Sequence, residues 1–319
     1  MAPWPPSCSR PPIVAGGSVL EERISPDASR VVYAADQDTD DVFELYSVPI
    51  DGSAASVKLN GPLVAGGGVV NQGIVLPVRI SPDSSRVAYV ADADLNQLFE
   101  LYCAPIDGSA LPTKLVALSG SRDVVDFLIT PDSAQVIYRA DQDVNEVYEL
   151  YGVLLDGSGA PVKLNAPLVP GADVGTLSGR LEFAFSAASN RVVYQVMGSL
   201  STDLYSVPND GSQVAIQLNG LGGAGITGNG LELSPDGLWV AYASFLTQDG
   251  PFVAPVDGSR PARRVGGPMV SGGHVALFAG FTYTFSSDSR FLVYPADQET
   301  NEVTELFLGS ITKPICRVP

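Results

Sequence analysis

Four acidic runs recur along the 319-residue chain with nearly the same internal spacing. Asp36-Gln-Asp38-Thr-Asp40-Asp41 is followed by Asp92-Ala-Asp94-Leu-Asn96, Asp141-Gln-Asp143-Val-Asn145-Glu146 and Asp297-Gln-Glu299-Thr-Asn301-Glu302. Oxygen ligands at alternate positions are the pattern by which loops hold Ca²⁺. These runs lack the glycine that lets a calcium loop turn sharply, so a second reading stands beside the first. In it the aspartates cap backbone N–H groups of a repeated hairpin. The candidate loop cation ligands are Asp36, Asp38, Asp40, Asp92, Asp94, Asp141, Asp143 and Asp297.

A second carboxylate set lies upstream of a recurring apolar-Ser/Thr pair. Alternation in a strand puts the residues one and three places before that apolar residue on one face. They are Glu21 and Arg23, Pro77 and Arg79, Asp126 and Leu128, Glu182 and Ala184, Gly230 and Glu232, Thr282 and Thr284. If these strands line one channel, Glu21, Asp126, Glu182 and Glu232 converge and raise one another's proton affinity unless a cation neutralises them. A divalent metal, most simply calcium, is one answer; an ion-pair network with Arg23 and Arg79 is the other. Arg23, Arg79 and Thr284 are then the channel or ligand contacts. His274, the only histidine, lies in a glycine-rich loop and is a candidate general base, with Glu182 and Asp126 as catalytic carboxylates.

The elements that must position these groups come from one repeat. Ile24-Ser-Pro-Asp27, Ile80-Ser-Pro-Asp83, Ile129-Thr-Pro-Asp132, Phe185-Ser-Ala-Ala188, Leu233-Ser-Pro-Asp236 and Phe285-Ser-Ser-Asp288 each precede a tyrosine: Tyr33, Tyr89, Tyr138, Tyr194, Tyr242 and Tyr294. Pro-Asp reads as a turn, and the β-branched run ending in tyrosine reads as a strand. Glu44-Leu-Tyr, Glu100-Leu-Tyr, Glu149-Leu-Tyr, Asp203-Leu-Tyr and Glu305-Leu-Phe give a third strand, and Asp-Gly pairs such as Asp51-Gly52 turn it into a fourth. With strands named A to D in each copy, the acidic runs fall on the B–C loops. The expected fold is all-β: one six-bladed β-propeller of four antiparallel strands per blade over 13–319, preceded by a Pro-rich segment, 1–12, that is a linker or a start imposed on a longer parent chain.

The Ser-Pro-Asp-x-Ser-x-x-Val-x-Tyr units with Glu-Leu-Tyr and Asp-Gly resemble the TolB-like propeller repeat and, less specifically, the propellers linked to prolyl-oligopeptidase-type peptidases. The resemblance covers about 13–319 and weakens in copies 4 and 5. It implies a propeller that acts as an interaction or gating module in a bacterial periplasmic or secreted setting. A metal in the channel would also resemble the layout, though not the motifs, of propeller phosphotriesterases and lactonases.

Composition narrows the function. Eighteen Lys and Arg against 35 Asp and Glu leave a net charge of −17, which repels nucleic acid and anionic membrane and suits cations, basic partners or plain solubility. No apolar run reaches the ~20 residues of a membrane helix. Three cysteines exclude a disulfide framework, yet Cys8 and Cys316 near the two ends are either a clamp on ring closure or two inert thiols. The Gly-x-Ser-x-Gly elbow is missing, which argues against a serine peptidase. Two readings remain for a chain expected to be monomeric. It is a binding or scaffold module for a divalent cation and a small polar ligand or protein partner, or it is a metal-dependent hydrolase of phosphotriesters, arylesters or lactones.

Overall fold

The computed structural model describes residues 13–71, 74–75, 77–175, 183–199, 202–220, 231–243, 251–273, 275 and 283–311. Every regular element among them is a β-strand. The chain packs as two compact units, Met1–Val162 and Lys163–Pro319.

The first unit holds copies 1 to 3 of the repeat, each an antiparallel sheet in the order A-B-C-D. Copy 1 runs Val19–Ile24, Arg30–Ala35, Glu44–Pro49 and Val57–Lys58. Copy 2 runs Val78–Ile80, Arg86–Ala91, Glu100–Pro105 and Thr113–Val116. Copy 3 runs Val124–Ile129, Gln135–Val144 and Val147–Leu154, with its fourth strand, Val162–Lys163, at the boundary of the unit. A two-strand hairpin, Val70–Asn71 and Ile74–Val75, is inserted before strand A of copy 2.

The second unit holds the more divergent copies. Strand A of copy 4 is split: Asp173–Val174 and Phe183–Ser186 pair with two stretches of the same strand B, Arg191–Met197. Strands C and D of that sheet are Thr202–Pro208 and Ile216–Gln217. Copy 5 has Glu232–Leu233, Trp239–Ala243, Pro251–Pro255 and Arg263–Arg264. Copy 6 has three strands among the described residues, Thr284–Phe285, Phe291–Ala296 and Glu305–Ser310.

The A–B turn shows why Ser-Pro-Asp recurs. Ser25 donates its hydroxyl to Asp27 at 2.6 Å, and Asp27 accepts the N–H of Ser29 at 3.0 Å. The same pair of bonds recurs from Ser81 and Ser85 to Asp83. The residue after the aspartate sits in the left-handed region, at φ 57° for Ala28 and 62° for Ser84, and these bonds hold it there.

The six tyrosines have a packing role. Each strand B tyrosine stacks on the aromatic directly across the ladder in strand C: Tyr33 on Tyr46, Tyr89 on Tyr102, Tyr138 on Tyr151, Tyr194 on Tyr205, Tyr242 on Phe252 and Tyr294 on Phe307. Cross-strand aromatic pairs of this kind fix register as well as area.

Within each unit the sheets stack face to face, so both faces of a sheet are apolar. In the first unit Val32, Ala34 and Leu45 of copy 1 meet Val78, Val87 and Tyr89 of copy 2. Leu101 and Cys103 of copy 2 then meet Phe127, Val136 and Tyr138 of copy 3. The Cys103 thiol is buried in that layer, which pushes its pKa up to about 11 and leaves it unreactive. In the second unit Val193 and Leu204 of copy 4 pack on Val240 and Tyr242 of copy 5. Two exposures break the pattern. The strand C leucine is 0 or 1% exposed at Leu45, Leu101, Leu150 and Leu204, but Leu306 in copy 6 is 74% exposed. Ile24 in copy 1 is 60% exposed, whereas its equivalent Phe285 is 6% exposed.

Candidate functional site

The B–C loops are built on the first aspartate of each run. Asp36, Asp92, Asp141 and Asp297 are 1–2% exposed. Asp92 accepts the N–H of Gly68 at 2.7 Å with one oxygen and that of Gln97 at 2.9 Å with the other. Asp141 does the same for Asp123 at 2.5 Å and Glu146 at 2.8 Å. Asp36 accepts the N–H groups of Ser18 and Asp41, and Asp297 that of Glu302. The residue capped five places on, Asp41, Gln97, Glu146 or Glu302, has a φ of 61–66° in every copy. Burial works to raise the pKa of Asp36, but these N–H bonds outweigh it and hold the carboxyl below its usual range. The first aspartates thus carry the hairpin chemistry, and in Asp36, Asp92 and Asp141 both oxygens accept backbone N–H groups.

The second aspartates face a lysine on strand D. Asp38 pairs with Lys58 at 2.9 Å, and the same ammonium reaches Glu44 at 2.6 Å. Asp94 pairs with Lys114 at 2.6 Å, and Lys114 also pairs with the buried Glu100. Tyr46 and Tyr102 donate to those glutamates at 2.8 and 3.1 Å. Lys58 and Lys114 lie over the same tyrosine rings, at 5.8 and 5.5 Å from the centroids. Sequence reasoning missed this lysine, although its recurrence at Lys58, Lys114 and Lys163 was a readable signal.

One loop departs from the others. In copy 1 the fifth position is Asp40, where copies 2, 3 and 6 have Asn96, Asn145 and Asn301. Asp36, Asp40 and Asp41 each bring a carboxylate oxygen within 4.8 Å of the other two, with Asp36 buried and the other two exposed. They are the only such acidic trio among the described residues. The fifth side chain has a repeated seat. A Cβ on Gly16 would lie 2.6 Å from the Asp40 carboxylate, and a Cβ on Gly66 would lie 2.8 Å from the Asn96 amide. Both glycines have a positive φ, 97° and 82°.

On the strand A segments, the side expected to face a channel also meets the neighbouring sheet. Arg79 lies 5.9 Å from the Phe127 ring centroid and 3.9 Å from Asp126, both on copy 3. Asp126 accepts its neighbour Phe127 N–H at 2.7 Å. Burial raises its pKa, opposed by that N–H and by Arg79 and Arg139. Arg139 is its direct partner across the ladder and went unnoticed in the sequence. Glu21 is paired with Arg23 on its own strand. In the second unit Glu232 accepts the Phe285 N–H at 3.3 Å; burial raises its pKa, and Thr284 works against that shift. Within each unit the described strand A carboxylates do not assemble into a group of three ligands. Glu182, His274, Cys8 and Cys316 lie outside the described residues.

No protein-family profile matches the sequence, and no curated protein matches it. Solved structures share its fold at low identity. Porphyromonas gingivalis dipeptidyl peptidase 4 superposes with a TM-score of 0.60 at 12% identity, over 87% of this chain and 42% of that one. Prolyl oligopeptidase B from Galerina marginata gives 0.50 at 12%, over 92% and 43%. A Mycobacterium tuberculosis puromycin-hydrolyzing peptidase gives 0.49 at 16%, over 91% and 45%. The chain spans less than half the length of each. The likeness is to the propeller-like domains of such peptidases and is one of fold alone.

Proposed function

We propose that the chain is a cation-binding propeller module of the TolB-like kind. Its six sheets close into one ring, and its B–C loop face holds calcium and, with it, a small polar ligand or a basic partner. The observation that carries this reading is the Asp36, Asp40 and Asp41 trio, present because copy 1 has aspartate where its sister loops have asparagine. Exposed Asp40 and Asp41 leave open coordination positions, and oxygen-only ligands suit Ca²⁺. The test is a terbium or calcium titration of the wild type and of Asp40→Asn. That change installs the residue that Asn96 seats in copy 2, so the loop is retained. Saturable binding that Asp40→Asn weakens at least tenfold supports the reading, and equal binding by both proteins removes it.

A hydrolase reading has one observation of its own. Burial raises the pKa of Asp126 and Glu232, a desolvated setting in which a divalent cation would be the neutralising partner. In this reading Glu21, Asp126, Glu182 and Glu232 hold the metal, and His274 is the base. Chelator-sensitive turnover of phosphotriester, arylester or lactone substrates, lost in Glu232→Gln, supports it. A protein without such turnover refutes it.

A further inference from the structure

The copies diverge sharply between copies 4 and 5, on the side of the A–B and C–D turns. In three other neighbouring pairs a serine hydroxyl of one turn accepts a backbone N–H of the turn before it. Asp27 donates to Ser84 at 3.1 Å, Asp83 to Ser133 at 3.1 Å and Asp236 to Ser289 at 3.0 Å. Between copies 4 and 5 the acceptor half of that link is missing. Copy 4 still offers a backbone N–H at Ala188, but copy 5 has Gly237 in place of the serine. Ser186 donates instead to the Gly237 carbonyl at 2.6 Å. A cavity of about 180 Å³ opens beside this break, lined by Ser189, Leu238, Trp239, Pro255, Asp257 and Arg260 among others.

Three features set the chemistry of an occupant. The first is an apolar pair, Leu238-Trp239, where copies 1, 2 and 4 have Ser29-Arg30, Ser85-Arg86 and Asn190-Arg191. Leu238 is 50% exposed, and Trp239 is only partly buried. The second is charge. Asp257 is already answered within the fold: it accepts the Ser259 N–H at 2.9 Å and feels the Arg191 guanidinium, the strand B arginine of copy 4. Arg260, by contrast, is exposed and makes no ion pair with another described residue. The third is size. At about 180 Å³, this cleft, open on one side and lined by both apolar and polar side chains, has room for a single ring with one small substituent.

We propose that this cavity binds a small aromatic carboxylate, its ring against Leu238 and Trp239 and its carboxylate on Arg260. This site is separate from the acidic loops and does not depend on the cation reading. The chain has two tryptophans, so Trp4→Phe leaves Trp239 as the only indole and a direct reporter. In that background benzoate is titrated against intrinsic fluorescence, with benzyl alcohol as the uncharged control. The expected result is a saturable change with benzoate at millimolar affinity. Arg260→Ala should weaken benzoate roughly tenfold, the value of one charge-assisted hydrogen bond. It should leave benzyl alcohol unaffected. Leu238→Ser, which restores the residue of copies 1 and 2, should weaken both. No saturable response to benzoate overturns the proposal, and so does an unchanged benzoate affinity in Arg260→Ala.

Discussion

Replacing Asp92 by alanine tests whether the first aspartate of the copy 2 run is scaffold or ligand. The side chain is 2% exposed, and its two oxygens accept two backbone N–H groups, from Gly68 at 2.7 Å and Gln97 at 2.9 Å. Alanine removes both acceptors and leaves two donors in a place where water has little access. A charge-assisted hydrogen bond contributes about 1.5–3 kcal/mol, so the expected loss is about 3–5 kcal/mol after partial relaxation. Gln97 adds to this, because its φ of 66° is held by the lost bond. Asp92→Asn keeps one acceptor oxygen and turns an NH₂ toward the other donor, so it should lose about half as much. Urea unfolding followed by far-ultraviolet circular dichroism reads this directly. At a slope of about 2 kcal/mol/M, the alanine midpoint falls by about 2 M. Calcium or terbium binding should be the same in both variants as in the parent. An alanine variant within 1 kcal/mol of wild type, or one that loses cation binding while keeping its stability, would refute the capping account.

Three further outcomes follow from the same geometry. Lys114→Met strands Glu100, whose side chain is 2% exposed, and should cost about 3–5 kcal/mol, whereas Asp94→Ala removes a 63% exposed partner and should cost under about 1 kcal/mol; chemical denaturation of the two variants checks the contrast. Gln195 is buried with neither end of its amide hydrogen-bonded, so Gln195→Leu should stabilise by about 1–2 kcal/mol, visible as a higher thermal midpoint. The turn aspartates Asp27, Asp83, Asp132 and Asp288 have depressed pKa values, Asp27 to about 2 through the Ser25 hydroxyl and the Ser29 N–H. Groups depressed in the folded state stabilise it above their unfolded pKa and lose that contribution as pH falls. Stability should therefore decline from about pH 4 toward pH 2, and thermal melts that are flat across that window would contradict the turn chemistry.

Local structure follows from short-range residue chemistry. Ser-Pro-Asp, the strand B tyrosine and Asp-Gly act over a few residues, so each copy carries its own turns and its own B–C ladder. The all-β class and the four-strand unit were legible for that reason. The roles of the acidic residues were not legible, because type and spacing are the same for a cap and a ligand. Asp92 is a cap because folding brings Gly68, 24 residues earlier, onto its carboxylate. Asp38 and Asp94 are held by strand D lysines that approach only once the C–D hairpin forms. Face assignment shows the same limit. Alternation put Arg79 and Asp126 on the channel side, yet the stacking of two sheets decided that they would meet each other and Phe127. Only tertiary packing exposed the cavity at Leu238, because it lies where copy 5 lacks the turn serine and Ser186 bonds the Gly237 carbonyl instead.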